Sequence, residues 1–331
     1  MLNKSSFFKR NIVSVFIFIV MVGMVLLNVF LPNFQNENFV SGRGINSAIF
    51  SVLILLAVIE MRRAFGLEKV PHCFSWLIWL FGFGIGPSYS FFGFNGIVFF
   101  TLFVFVCAVV TALISNRADS LIYILAMLVY PGIIMSSLLY LNRCATSQVI
   151  TNPEMLKYTS YDIWWHVSNY RYQQLLPYNA IALAFVFAVS CFTDVFAYLV
   201  GSIFGKHPLC PEISPKKTVE GAIGGVIGGA LGSAVVYLFF DSPLHILPKQ
   251  FGLTFEGLGL STTNVVFAYV LLGLIGSIMT QIGDLLASMV KRYCGIKDFS
   301  RILGEHGGIM DRFDGIMINA VFVASVFMFI V

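Results

Sequence analysis

Charged residues are scarce in this sequence. Asp, Glu, Lys and Arg make up only 11% of the 331 residues, while 58% are apolar. A soluble globular chain carries about a quarter charged residues, so too few polar groups remain to wet the surface of a water-soluble core. Strand-like alternation of polar and apolar residues is also missing, which argues against a transmembrane barrel. The six cysteines (73, 107, 144, 191, 210 and 294) form no CxxC pair. Neither a thiolate metal site nor a disulfide framework is indicated. No convincing inverted repeat of the kind common in transporters is visible.

What is present is a series of long charge-free intervals: 11–36, 44–59, 70–116, 120–142, 172–193, 221–240, 257–283 and 315–331. Most approach or exceed the roughly 20 apolar residues that cross a hydrocarbon core. The interval 70–116 is too long for one crossing. Gly82, Gly84, Gly86 and Pro87, followed by Ser88 and Tyr89, read as a turn within it. The expectation is therefore an all-α polytopic membrane protein with about nine transmembrane helices. They lie near 11–31, 46–60, 73–86, 95–114, 120–140, 178–200, 220–240, 264–288 and 314–331.

With the N-terminus placed in the cytoplasm, 15 of the 20 basic residues fall on inner segments, as the positive-inside rule requires. An odd number of crossings then puts the C-terminus outside. The formal charge of +4 reflects this orientation and one dense inner cluster, and does not point to nucleic acid. Lys9 and Arg10 precede the first apolar run as in a secretory signal. That run is long for a signal core and lacks a small-x-small cleavage site, so an uncleaved span is expected.

Three regions follow: an N-terminal five-helix membrane block over 1–140, an extracytoplasmic or interfacial loop over 141–177, and a C-terminal catalytic membrane region over 178–331. The first block has almost no ionisable group at membrane depth, and packing, lipid contact and cavity walls are its expected roles. The loop is rich in aromatics, Trp164 and Trp165 among them, and such density marks a membrane interface. In the third region Asp194 sits within an apolar span, where a carboxylate must face a cavity, a partner charge or a metal. Gly221, Gly225 and Gly229 recur four apart, as do Gly224, Gly228 and Gly232. That spacing lets helix backbones approach closely, and no GK[ST] follows to make a phosphate loop. Ser277, Gln281, Asp284 and Ser288 form a polar stripe along the eighth span, which by itself suits a channel as well as an enzyme.

The densest chemistry lies in 284–314. Asp284, Asp298, Glu305, Asp311 and Asp314 are interspersed there with Lys291, Arg292, Lys297, Arg301, Arg312 and His306. The helix is expected to end at Gly295, and a loop through Gly304, Gly307 and Gly308 returns Asp311 to the membrane. Hard cations such as Mg²⁺ take carboxylate and phosphate oxygens, and Lys and Arg stabilise phosphate charge. An inner loop whose basic residues merely pair with its own acids is the plainer alternative.

The run Ser288 to Asp314, SMVKRYCGIKDFSRILGEHGGIMDRFD, resembles the signature of the phosphatidate cytidylyltransferases, or CDP-diacylglycerol synthases. It fits the family pattern S-x-apolar-K-R-x4-K-D through H-G-G-apolar-x-D-R-apolar-D. TDVFAYLVGSIFGKH and ISPKKTVEGAIGG resemble two further family segments in the same order, so the resemblance covers about 190–314. Gly304-Glu305 stands where many members have Pro-Gly. The resemblance implies transfer of a cytidylyl group from CTP to phosphatidic acid, dependent on Mg²⁺ (with two divalent ions as an option), by a homodimer in the inner or plasma membrane. By motif position, it implies metal-binding roles for Asp284 and Asp311. Asp194, Lys216, Lys217, Lys291, Arg292, Lys297, Asp298, His306, Arg312 and Asp314 carry over as polar-site positions. The rivals are an ion-coupled transporter using Asp194 and Asp284, and an enzyme that adds another lipid head group.

Overall fold

The computed structural model describes residues 4–30, 42–143, 178–242, 262–304 and 307–330. Most of the interfacial loop expected over 141–177, and His306, lie outside the described residues. Helices form at each segment where a crossing is expected, because a backbone in lipid must satisfy its own N–H and C=O groups. They are α1 (Lys4–Phe30), α2 (Gly42–Phe65), α3 (Ser75–Ser115), α4 (Leu121–Met127), α5 (Ile134–Arg143), α6 (Tyr178–Phe204), α7 (Val219–Phe240), α8 (Thr262–Tyr293) and α9 (Met310–Ile330). A π-type stretch, Leu128–Ile133, joins α4 to α5. Among the described residues six helical segments are long and apolar enough to cross a membrane. These are Gly44–Phe65, Asn95–Ser115, Ala118–Asn142, Asn179–Phe204, Val219–Phe240 and Val265–Tyr293.

The turn expected at 82–89 is displaced. Pro87 lies inside α3, and the chain breaks at Gly93, with φ 62° and ψ −148°. Only glycine adopts that conformation without penalty. The two halves of α3 fold back on each other, with the Phe81 and Phe100 rings stacked at 6.3 Å. The upstream glycines are contact surfaces. A Cβ on Gly82 would meet Leu55, one on Gly84 the Phe100 ring, and one on Gly86 the Ser51 hydroxyl.

The two glycine rows of α7 serve two neighbours. Gly224, Gly228 and Gly232 press against Val200, Phe192 and Ala188 of α6. Gly225 and Gly229 face Gln281 and Ser277 of α8, and also touch Thr193 of α6. Gly283 of α8 in turn lies against the backbone of Asp314 and Gly315 in α9. Small residues at every crossing thus draw α6 to α9 into a close-packed group. The buried apolar side chains are continuous with those of α2 to α5.

An antiparallel hairpin, β1 (Pro208–Cys210) and β2 (Ser214–Thr218), connects α6 to α7. Its base is tied down by Glu220, which accepts from the Lys206 and His207 backbone N–H groups and pairs with His207 Nδ1 at 2.6 Å. Thr218 Oγ1 caps α7 by accepting from Gly221 N at 3.1 Å.

Two buried polar networks cross the apolar interior. One joins the helix ends remote from the hairpin. Asn46 Nδ2 donates to Asn28 Oδ1, Asn28 Nδ2 to Asn142 Oδ1, and Asn179 Nδ2 to the Asn142 carbonyl. The other links Ser190 of α6, Thr280 of α8 and Asn319 of α9. These bonds tie the helices together, although Asn46 Oδ1, Asn179 Oδ1 and Asn319 Oδ1 accept no hydrogen bond among the described residues.

Candidate functional site

At the end of the bundle that carries the hairpin, α6, α7, α8 and the two strands enclose a cavity of about 500 Å³. Asp194 enters it from α6, Gln281 and Asp284 from α8, and Lys216 and Lys217 from β2. The polar stripe of α8 explains this placement. Ser277 and Thr280 are buried against other helices, Gln281 Nε2 donates to the Ala222 carbonyl of α7, and Asp284, one turn on, reaches the cavity. There its carboxylate pairs with Lys217 Nζ at 2.5 Å.

A second centre lies at the start of α9. Lys291 Nζ donates to Asp311 Oδ1 at 2.8 Å, and Asp311 Oδ2 accepts from the Phe299 and Gly308 backbone N–H groups, both at 2.9 Å. Asp311 therefore shapes the loop between α8 and α9. An ionised carboxylate has about four acceptor positions, and three are taken. Oδ1 retains one. Asp314, one turn further along α9, accepts its neighbouring Gly315 N–H through Oδ1. It lies within electrostatic reach of Asp284, Asp194 and Lys291, while Asp194 feels Asp284, Lys217 and Arg312. Asp194 and Asp284 thus share the cavity with Lys216 and Lys217, while Asp311 and Lys291 pair outside its lining.

The remaining expected residues are placed as follows. Arg292 Nε donates to the Ile213 carbonyl at 3.0 Å, pinning the hairpin turn to α8. Arg312 is exposed on the first turn of α9, and Lys297 and Asp298 are exposed on the α8–α9 loop, outside the cavity lining.

Glu60 escaped the sequence reading, which gave the first helices no charged role. It is wholly buried near the end of α2. Its Oε1 accepts from Ser300 Oγ at 2.6 Å and Ile309 N at 2.9 Å, and its Oε2 accepts from Met310 N at 2.9 Å. A carboxylate at unpaired N–H groups of a helix start satisfies orphan donors and opposes the helix dipole. Gly308 is required beside it, since any Cβ there would stand 2.5 Å from both Glu60 oxygens. The one available signal was an acid ending a charge-free interval just before Arg62 and Arg63, where bases gather.

Oxygen donors of this kind suit a hard divalent cation, which prefers carboxylates supplemented by water and substrate phosphate. Among the described residues no three His, Cys, Asp or Glu side chains converge into a ready-made metal set. Asp284 and Asp194 share the cavity and Asp311 Oδ1 keeps one acceptor position, so these carboxylates would give an ion part of its ligands and leave the rest to water and substrate.

A phosphatidate cytidylyltransferase of Staphylococcus haemolyticus (strain JCSC1435) is 40% identical over 135 residues, covering 41% of this chain and 44% of the relative. That of Aquifex aeolicus (strain VF5) is 42% identical over 138 residues, 42% of this chain and 43% of the relative. That of Staphylococcus aureus (strain COL) is 38% identical over 137 residues, covering 41% and 44%. Each match spans less than half of the relative's length. The profile described as the cytidylyltransferase family extends much further, over residues 8–330, and the chain belongs to that family.

Proposed function

We propose that this protein transfers a cytidylyl group from CTP to phosphatidic acid, giving CDP-diacylglycerol and pyrophosphate at the inner leaflet of the inner or plasma membrane. The observation that carries the reading is the cavity in which Asp194 and Asp284 face Lys216 and Lys217 at one end of an apolar helix bundle. Such a site offers a cation and a phosphate complementary partners beside lipid. The names of the partial relatives point the same way. The family resemblance adds a homodimer with nine crossings per subunit, N-terminus inside and C-terminus outside.

In this mechanism phosphatidic acid approaches from the bilayer and CTP from the cytosol. Asp284 and Asp311, with Asp194 and Asp314 beside them, would hold Mg²⁺, which offsets phosphate charge and polarises the α-phosphorus. An oxygen of the lipid phosphate attacks the α-phosphorus of CTP. The new P–O bond forms as the bond to the β-phosphate breaks, and pyrophosphate leaves. The attacking oxygen is already ionised near neutral pH, so no general base is needed. Lys216 and Lys217 line the nucleotide or lipid phosphate. Lys291 and Arg312 neutralise charge at the departing group, and Arg292 adds to this while fixing the hairpin. By motif position, Lys297, Asp298 and His306 would orient basic groups or touch phosphate, although Lys297 and Asp298 lie outside the cavity lining.

The test is purified protein in detergent with phosphatidic acid and labelled CTP, with and without Mg²⁺. Labelled lipid and pyrophosphate should form together, only with the metal. Absence of both products overturns the reading. Asp284→Asn and Asp311→Asn should each lower kcat by at least about 100-fold, the scale of losing one electrostatic stabiliser. Full activity in either variant removes that residue from the metal site.

A further inference from the structure

Two carboxylates from distant parts of the chain grip the loop between α8 and α9, and their contacts alternate along it. Asp311 Oδ2 accepts from the Phe299 and Gly308 N–H groups. Glu60 of α2 accepts from the next residue in each case, through Ser300 Oγ and Ile309 N, and then from Met310 N, just before Asp311. The glycine pair divides in the same way. A Cβ on Gly307 would meet the Asp311 carboxylate, and one on Gly308 would meet the Glu60 carboxylate. Neither position takes a side chain without displacing its carboxylate. Glu60 itself sits on a firm support, since Ala57, Val58 and Met61 of the same helix are buried around it.

A helix start can take its acceptor from a local residue, as α7 does from Thr218. A carboxylate brought in from another helix does more than cap, because it fixes where that start lies relative to α2. What begins there is Asp311. Of its about four acceptor positions, three are used by Lys291, Phe299 and Gly308. The direction of the free one on Oδ1 is therefore set by the loop, and Glu60 ties that loop to α2. We infer that Glu60 is a positioning residue for the reaction, holding the free position of Asp311 Oδ1 where it can serve a divalent cation. The inference rests on the metal role proposed above for Asp311 and adds to it a residue from the N-terminal half. Carboxylates that bind a metal depend on their surroundings for orientation, and loss of that support weakens binding.

The test is Glu60→Gln, which keeps the size but replaces one of the two acceptor oxygens. Asn28→Ala is the control, since it removes hydrogen bonds at the opposite end of the bundle. Mn²⁺ replaces Mg²⁺ as the probe, with inorganic pyrophosphate present. Its binding is read by electron paramagnetic resonance in detergent, below the melting temperature of every variant. The Kd for Mn²⁺ should rise by about tenfold or more in Glu60→Gln and stay unchanged in Asn28→Ala, although both substitutions lower Tm. The Mg²⁺ concentration for half-maximal turnover should rise in parallel, while KM for phosphatidic acid does not. Ser300→Ala removes one bond and keeps the carboxylate. It should shift the Mn²⁺ Kd the same way by less, and it decides the question if Glu60→Gln does not fold. Mn²⁺ binding that depends on Glu60, in a wild type that forms no labelled lipid, refutes the transfer reading and keeps the positioning role. Equal Mn²⁺ affinity in the wild type and the folded variants overturns the inference. So does a wild type that binds no Mn²⁺, or an equal shift in Asn28→Ala, which would trace the effect to lost stability.

Discussion

Glu60 shows how far a single carboxylate can reach. It comes from α2, yet all three of its hydrogen bonds go to residues 240 to 250 positions away, Ser300, Ile309 and Met310. Bonds of this charged kind contribute about 1.5–3 kcal/mol each, and a buried donor left without one costs about 1–3 kcal/mol. Glu60→Ala should therefore destabilise the protein by several kcal/mol, roughly 3 or more, read as a lower Tm in detergent. Glu60→Gln keeps the size but turns an N–H towards one of the helix-start donors, so it should fall between. A Tm unchanged in both would show that the helix start does not depend on this residue. No sequence reading pairs Glu60 with Ile309, because each looks ordinary where it stands. By contrast, Asp194 and Asp284 declared themselves as charges inside apolar runs, where a carboxylate must have a polar surrounding.

Glycine has two uses in these elements that look alike in sequence. Gly82, Gly84 and Gly86 around Pro87 suggest a turn but are flat faces for Leu55, Phe100 and Ser51, while an unremarkable Gly93 makes the reversal. Proline within a membrane helix is tolerated when neighbouring groups take up the freed carbonyl, so Pro87 was a poor guide to the break. The rows of α7 were readable because their spacing repeats. Gly229→Leu should cost about 1–3 kcal/mol by overpacking, since a Cβ there meets Ser277 and stands 2.8 Å from the Gly273 carbonyl. Gly23→Ala, with nothing within 4 Å of its Cβ, should leave stability within about 1 kcal/mol. Denaturation of the two variants side by side checks the contrast. Equal behaviour would remove close packing as the role of α7.

For the whole molecule, the membrane class was legible from charge-free length alone, and so was the concentration of charge in 284–314. The joining of α2 to α9 was not, because it depends on contacts between residues far apart in the chain. The proposed topology is open to a direct check. A fluorescent protein fused before residue 1 should fluoresce in cells, and an alkaline phosphatase fused after residue 331 should be active. The reverse pattern would place the acidic region on the other face of the membrane.

The asparagine chain at the opposite end of the bundle bears on synthesis. Asn28 finds its acceptor in Asn142, 114 residues later, and the Asn142 carbonyl waits in turn for Asn179. Until α5 has been made, the Asn28 Nδ2 group therefore lacks this acceptor, although its Oδ1 already meets Asn46. A buried donor left without a partner costs about 1–3 kcal/mol, so the first helices gain this stability only when the later ones are in place. The order of translation thereby becomes a condition on when the first helices can settle.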